Sequence, residues 1–258
     1  MKRVLNKIFS DPDIKLIFSL FSDYCNKLFI VGGAVRDSLM NGFDHNYDID
    51  FAINAPIEVV YEYLLQQQLN FQNIQFNNSL LNYGVIRIVI DNKKYDVTMF
   101  RSEKYINKSR YPIVNYTEDI NIDCIRRDFT VNSLYLGHDK ILYDPTGFGI
   151  SDLQQKKIRF ITNDLNISRE IVRRITEDPL RIIRYIRMYL KFFPDPKMNN
   201  KLKIMSDHDI ISFCNNYLNK IISYDAETIS ILLHNLDLLK VIGVSKAISE
   251  LNKMISCI

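Results

Sequence analysis

The stretch Tyr47–Ile53, YDIDFAI, alternates apolar and acidic residues, and that alternation leaves little choice of local structure. Successive side chains of a strand point to opposite faces. A strand here puts Tyr47, Ile49, Phe51 and Ile53 on one face and Asp48 and Asp50 together on the other. Two carboxylates that close either lie in water, on an edge strand with a wet acidic face, or hold a cation. The D-x-D pattern alone does not decide; the residues before it do. VGGAVRD ends a short buried strand, KLFIVGG, and opens a helix, AVRDSLMNG, closed by Gly42. Gly32 and Gly33 permit a tight turn and a close backbone approach to a ligand. The N–H groups at the helix start favour an anion. Arg36 adds a guanidinium fork for phosphate, unless it pairs with Asp37. A phosphate cradle shortly before a carboxylate pair favours the cation, and magnesium shares its oxygen ligands with substrate phosphates.

A third carboxylate, Asp96, lies in a later strand of the same alternation, YDVTMF. It is either a solvated strand residue or part of the same acidic site. Three carboxylates on adjacent strands beside a glycine cradle suit two metal ions in an in-line phosphoryl displacement. IRRDFTVNSL brings Arg126, Arg127, Asp128 and Asn132 onto one segment. Asp128 and Asn132 share a face if that segment is helical. Such a face can grip a ribose while an arginine meets phosphate, or it is a capping aspartate with two surface arginines. In TEDPLRIIRYIRM, Thr176 caps a helix with Pro179 in its first turn. Asp178, Arg181, Arg184 and Arg187 recur every three residues, each about 60° behind the last. Asp178 and Arg181 are then near neighbours, and Leu180, Ile183 and Ile186 form an inward stripe. The pair is either a surface ion pair of little worth or a base reader. A carboxylate accepts from an exocyclic amine and a guanidinium donates to ring acceptors. Cytosine and adenine offer that pattern; guanine and uracil do not.

The organisation is a mixed α/β half followed by a helical half, joined near residues 162–168. A helix capped near Ser10-Asp11-Pro12 opens the chain, and PIEVVYEYLLQQQ is another with Pro56 in its first turn. YGVIRIVID and KKYDVTMFR form a hairpin around Asp91-Asn92. SEKYINKSRYPIVNYTED is a basic, aromatic loop, and KILYDP and KIRFI make a small strand pair. The net charge of +3 announces no global field for nucleic acid, so any basic surface is local. Cys25, Cys124, Cys214 and Cys257 are scattered, which speaks against a zinc site or disulfide framework and fits a reducing, cytoplasmic compartment. No stretch reaches the ~20 apolar residues of a membrane span.

GGAVRD…DID, RRDFTVNSLYL, DPTGFGISDL and EDPLRIIRYIRM, in this order over residues 28 to about 192, resemble the motifs of the class II tRNA nucleotidyltransferase and bacterial poly(A) polymerase family. The resemblance implies a nucleotidyltransferase head like that of DNA polymerase β (residues 1–162) and an all-α neck (163–258). It implies template-independent addition of CCA to tRNA 3′ ends from CTP and ATP. Asp48 and Asp50 would hold Mg²⁺, and Asp96 would assist by polarising or deprotonating the hydroxyl. Arg126, Arg127, Asp128 and Asn132 would meet ribose and triphosphate. Asp178 and Arg181 would select the base, with Arg184 and Arg187 adding contacts. The loop at 101–121 resembles the family's flexible segment, with Arg110 and Pro112 at similar places. Poly(A) addition, A-only or CC-only addition, and an inactive RNA-binding relative are the rivals. The family's long helical body is expected to be missing after the neck. Arg169, Arg173, Arg174, Lys156 and Lys157, with Arg110, could supply a compensating basic patch for RNA, as could a second copy or a partner protein.

Overall fold

The computed structural model describes residues 2–67, 74–106, 112–162 and 167–178, together with Arg181, Arg184, Tyr185, Met188, Lys191 and Phe192. The chain divides into two compact units. The first is Met1–Ile106 with Pro112–Ile161, and the described residues of the second begin at Thr162.

The first unit is built on a mixed sheet. Its strands are β1 (Leu28–Val31), β2 (Asp50–Ile53), β3 (Ile74–Asn77), β4 (Val85–Ile90), β5 (Lys93–Met99), β8 (Tyr135–Gly137) and β9 (Leu142–Tyr143), in the order β3-β4-β5-β2-β1-β8-β9. Among the described residues only β2 and β5 pair in parallel, which requires a crossover, and α4 (Ile57–Gln67) begins it. Helix α2 (Pro12–Leu20) is capped as its sequence indicates: the Asp11 carboxylate accepts from Asp13 N at 2.9 Å and Ile14 N at 3.1 Å. A helix the sequence reading did not separate, α1 (Lys2–Ile8), precedes it. The Phe18 ring of α2 meets Phe51 edge-on at 6.0 Å. On the other face Val31 and Ala52 pack with Phe100, Cys124 and Tyr135. Burying each such large side chain contributes roughly 1.5–3 kcal/mol, so the sheet is fixed from both faces.

The hairpin turn falls where expected. Asp91 and Asn92 take positive φ values of 45° and 69° between β4 and β5, as a two-residue hairpin turn of matching twist requires. Helix α3 (Gly33–Asn41) ends at Gly42, whose N–H reaches Ser38 O at 2.9 Å. Several expectations need correction. The strand of YDIDFAI is shorter than its alternation, beginning at Asp50. Tyr47 N turns back to Asp44 O, and β1 ends at Val31, opposite Asp50, so the ladder stops there. Asp48 therefore lies in the segment leading into β2. Pro56 stands just before α4, its carbonyl accepting from Val60 N at 3.1 Å. The basic loop contains a two-stranded ribbon, β6 (Arg101–Lys104) against β7 (Ile113–Tyr116). KILYDP does not pair with KIRFI: its strand β9 pairs with β8, and Phe160 bridges Phe129.

In the second unit α7 (Ile167–Glu177) buries Ile171 and Ile175. Thr176 lies inside α7 and does not cap a new helix. The break comes at Asp178, as expected for the residue before a proline. Arg181, Arg184 and Tyr185 are helical again. Arg110 and Arg187, the side chain of Arg169, the stripe Leu180, Ile183 and Ile186, and all of the expected neck after residue 192 lie outside the described residues. No described helix is long and apolar enough to cross a membrane.

Gly32 sits at φ 72° and ψ −135°, a region that disfavours any side chain. Gly33 does not share that constraint, and a Cβ there would meet only the Arg36 guanidinium, at 3.4 Å. Urea unfolding should show Gly32→Ala losing about 1–3 kcal/mol, and Gly33→Ala about 1 kcal/mol or less.

Candidate active site

The sheet register assembles the acidic residues. Asp50 at the start of β2 stands opposite Asp96 of β5, and Asp96 stands opposite Arg87 of β4. Partners across neighbouring strands share a face, so one row crosses three strands. The Gly32 turn is next to it: a Cβ on Gly32 would lie 3.9 Å from Asp50 Oδ2. The close approach read into the glycines is thus an approach to the carboxylate.

Asp50 remains accessible to solvent, yet protein atoms crowd it enough to strip much of its hydration. That loss comes first among the causes raising its pKa to about 6, the neighbouring Asp96 charge is the next to raise it, and Asp48 adds a smaller push. The charges of Arg127 and Arg126 oppose the rise without cancelling it. Asp96 itself is gripped by Arg87: Nε donates to Oδ1 at 2.7 Å and Nη2 to Oδ2 at 2.8 Å. Asp48 is exposed. Among the described residues, no three His, Cys, Asp or Glu side chains close into a ready-made metal site. The site offers an accessible carboxylate pair and a third carboxylate already engaged.

Arg36 is not a free phosphate fork. Its Nε and Nη2 donate to the two Asp37 oxygens at 2.7 and 2.8 Å, and its Nη1 donates to Asn132 Oδ1. Asn132 Nδ2 in turn donates to Asp128 Oδ1 at 2.9 Å. Asp128 and Asn132 therefore meet as expected. They do so across the end of α5 (Ile120–Ile125) and a 3-10 turn at Thr130–Asn132, without a continuous helix. The chain Asp37–Arg36–Asn132–Asp128 ties the glycine helix to this motif.

Arg126 and Arg127 are organised by a residue the sequence reading passed over. The Asp123 side chain is fully buried. It accepts from Arg126 Nε at 2.7 Å, Arg127 Nη2 at 3.1 Å, Tyr135 Oη at 2.6 Å and the Arg101 backbone N–H at 3.1 Å. Burial alone would raise its pKa. The Arg126 and Arg127 charges and the Tyr135 hydroxyl outweigh burial and hold it far below the usual carboxylate range. Arg127 also donates from Nε to Tyr135 Oη at 2.8 Å and lies over that ring. The D-x-x-R-R spacing, at i, i+3 and i, i+4, is the signal that could have revealed Asp123. DPTGFGISDL has a buttressing part: buried Asp152 accepts from Thr130 Oγ1 at 2.7 Å and Arg159 Nε at 2.9 Å.

In the second unit Arg181 is buried and donates from Nη1 to Arg174 O at 2.6 Å and Glu177 Oε2 at 3.3 Å. Its backbone N–H reaches Asp178 O at 3.0 Å. The Asp178 carboxylate lies 3.9 Å from Arg184 Nη1. Arg174 is buried, and Arg173 is held by Glu170 and Glu177 on its own helix. Neither is a free cation of a surface patch. Lys156 and Lys157, after α6 (Gly149–Gln154), are exposed.

A mixed sheet that brings paired carboxylates beside a glycine turn is the architecture of a nucleotidyltransferase head. Residues 28–159, just over half of the chain, match the model of the poly A polymerase head domain, and the chain belongs to that family. CCA tRNA nucleotidyltransferase 1, mitochondrial, of Mus musculus is 35% identical over 183 residues, 71% of this chain and 39% of that protein. The CCA-adding enzyme of Lactobacillus gasseri is 30% identical over 188 residues, 71% of this chain and 42% of that protein. The chain thus spans about two fifths of the length of these relatives. The CCA-adding enzyme of Bacillus stearothermophilus, solved in complex with CTP, shares the fold with a TM-score of 0.52 at 24% identity, over 69% of this chain and 39% of that one.

The raised pKa of Asp50 has a consequence for stability. Its charged form is disfavoured in the folded protein, so the penalty is full above about pH 6 and absent below the ordinary aspartate value of 3.8. Asp50→Asn should therefore stabilise the metal-free protein at pH 7.5. The gain is up to about 1 kcal/mol after allowance for solvent, and it should vanish as the pH falls through 6 to 4. Thermal melts across that range check the sign. Asp123→Asn should instead destabilise by about 3–5 kcal/mol at neutral pH, because it leaves two arginines with a weaker partner.

Proposed function

We propose that this chain is the head and neck of a CCA-adding enzyme. In the reaction the 3′ hydroxyl of a tRNA attacks the α-phosphate of CTP or ATP and pyrophosphate leaves. The observation that carries this reading is the crowded acidic mouth, with Asp50 beside Asp96 at the Gly32 turn. The relatives named as CCA tRNA nucleotidyltransferase and CCA-adding enzyme support the choice of acceptor, and the solved enzyme in complex with CTP supports a nucleotide substrate.

The residues fit a divalent cation. Carboxylates crowded enough to raise the Asp50 pKa are relieved by a positive charge, and oxygen-only donors suit Mg²⁺. Asp48 and Asp50 would hold it, with substrate phosphate oxygens completing its shell. When bound, such an ion supplies counter-charge to the triphosphate and lowers the pKa of the attacking hydroxyl. The remaining work belongs to the chain. The N–H groups at the start of α3 face the triphosphate. Arg126 and Arg127, held in place by Asp123, add positive charge beside Asp50. Asp128 and Asn132 present a hydrogen-bonding face to the ribose. Arg36 orients that face and is not itself the phosphate ligand.

In this reading residues 1–162 are the catalytic head and 163–258 the neck that selects the base. Asp178 accepts from the exocyclic amine of cytosine or adenine, and Arg181 donates to their ring acceptors after exchanging its bonds to Arg174 O and Glu177. Arg184 lies close enough to Asp178 to steady it. Lys156 and Lys157 meet RNA phosphate, and the cytoplasm is the compartment.

Asp48→Ala and Asp50→Ala should each lower nucleotide addition at least about 10³-fold while preserving the fold, since each removes a ligand of the ion that would neutralise the reacting phosphate. Wild-type rates in either variant contradict the assignment. Asp178→Ala should admit UTP and GTP while CTP and ATP addition slows, as read by single-nucleotide incorporation. Unchanged selectivity would remove the base-reading role.

A further inference from the structure

Arg87 lies in the same cross-strand row as the two strand-borne carboxylates, and no part of the reaction described above uses it. It is held opposite Asp96 by the β4–β5 register and Asp96 is held opposite Asp50 by the β5–β2 register. Its guanidinium engages Asp96 in the planar, two-bond geometry that fixes a carboxylate in orientation. Both partners are about one third exposed. The pair is therefore not a core element whose loss would unfold the sheet. The Asp50 charge also acts on Arg87, which places this cation within electrostatic reach of the carboxylate that would hold a metal.

We propose that Arg87 is a positioning residue that sets the cation affinity of the acidic mouth by holding Asp96 away from the ion. A cation approaching Asp48 and Asp50 meets a third carboxylate already paired and oriented by a guanidinium. The site then binds a divalent ion with two free carboxylates and keeps its remaining shell for phosphate oxygens. Without Arg87, Asp96 is free to turn toward the ion. Binding tightens, and coordination that substrate phosphate should occupy is taken by protein. Tight binding of the bare ion is not what a transferase needs, because an ion held by Asp48 and Asp50 would also have to supply counter-charge to the triphosphate. The inference rests on the assignment of Asp48 and Asp50 as the cation's ligands.

The test is calorimetric titration of Mn²⁺ into the full chain without nucleotide, for wild type, Asp50→Asn, Arg87→Gln, Asp96→Asn and the double variant Arg87→Gln/Asp96→Asn. Arg87→Gln should bind Mn²⁺ about tenfold more tightly than wild type. The double variant should bind no more tightly than Asp96→Asn alone, because the effect runs through the freed carboxylate. Equal tightening in the double variant would show a simple charge effect and overturn the positioning role, as would unchanged affinity in Arg87→Gln. Wild type that binds no Mn²⁺, or Asp50→Asn that binds it as well as wild type, would overturn the ligand assignment first and this inference with it. Melting temperatures of the metal-free variants separate both results from loss of fold.

Discussion

One buried carboxylate holds the polar half of this head together. Asp123 takes four hydrogen bonds, from two guanidinium groups, a phenol and the backbone where β5 passes into β6. Its charge is stable in the interior only because those donors are all present. It joins α5, β8 and the β6–β7 ribbon, and it sets the Arg126–Arg127 pair whose field reaches Asp50. Removing it would cost more than one contact, since the arginines would lose the partner that makes their own burial tolerable. Glu103 extends the node, pairing with Arg101 and lying 3.6 Å from Arg126.

The acidic mouth is the complementary feature. The head keeps carboxylates close together and partly dehydrated, at a standing cost to stability that a bound cation would relieve. Arginines border the cluster on both sides, Arg87 through Asp96 and Arg126 with Arg127 through the Asp123 node. The turn at Gly32 completes the setting without adding a side chain. These are separate constraints on one small surface, and they agree on a site for a polyanionic substrate brought in with a divalent ion.

Local patterns made much of this legible in the sequence. The Asp11 cap, the closing Gly42 and the Asp91-Asn92 turn are short-range signals, and each stands where it was read. With that two-residue turn placed, the hairpin register already pairs Arg87 with Asp96. Long-range pairings were not legible. The parallel contact of β2 with β5 joins residues more than forty positions apart in the chain, and nothing local encodes it. The extent of β2 was misjudged for the same reason, because alternation continues to Tyr47 while the partner strand does not. Arg36 looked like a phosphate ligand because its neighbours suggest one. Its occupation by Asn132, 96 residues later, is a tertiary fact. Thr176 was misread as a cap because the helix before it does not stop until Asp178.

The measurement that tests the central claim most directly is nucleotide incorporation by the purified chain on a tRNA ending at the discriminator base. Mg²⁺ is supplied with each nucleoside triphosphate alone and then with CTP and ATP together, and the products are sequenced. The account predicts C addition with CTP alone and a product ending C-C-A with both, while UTP and GTP add nothing. Long runs of A, or no incorporation although the triphosphates bind, would contradict it.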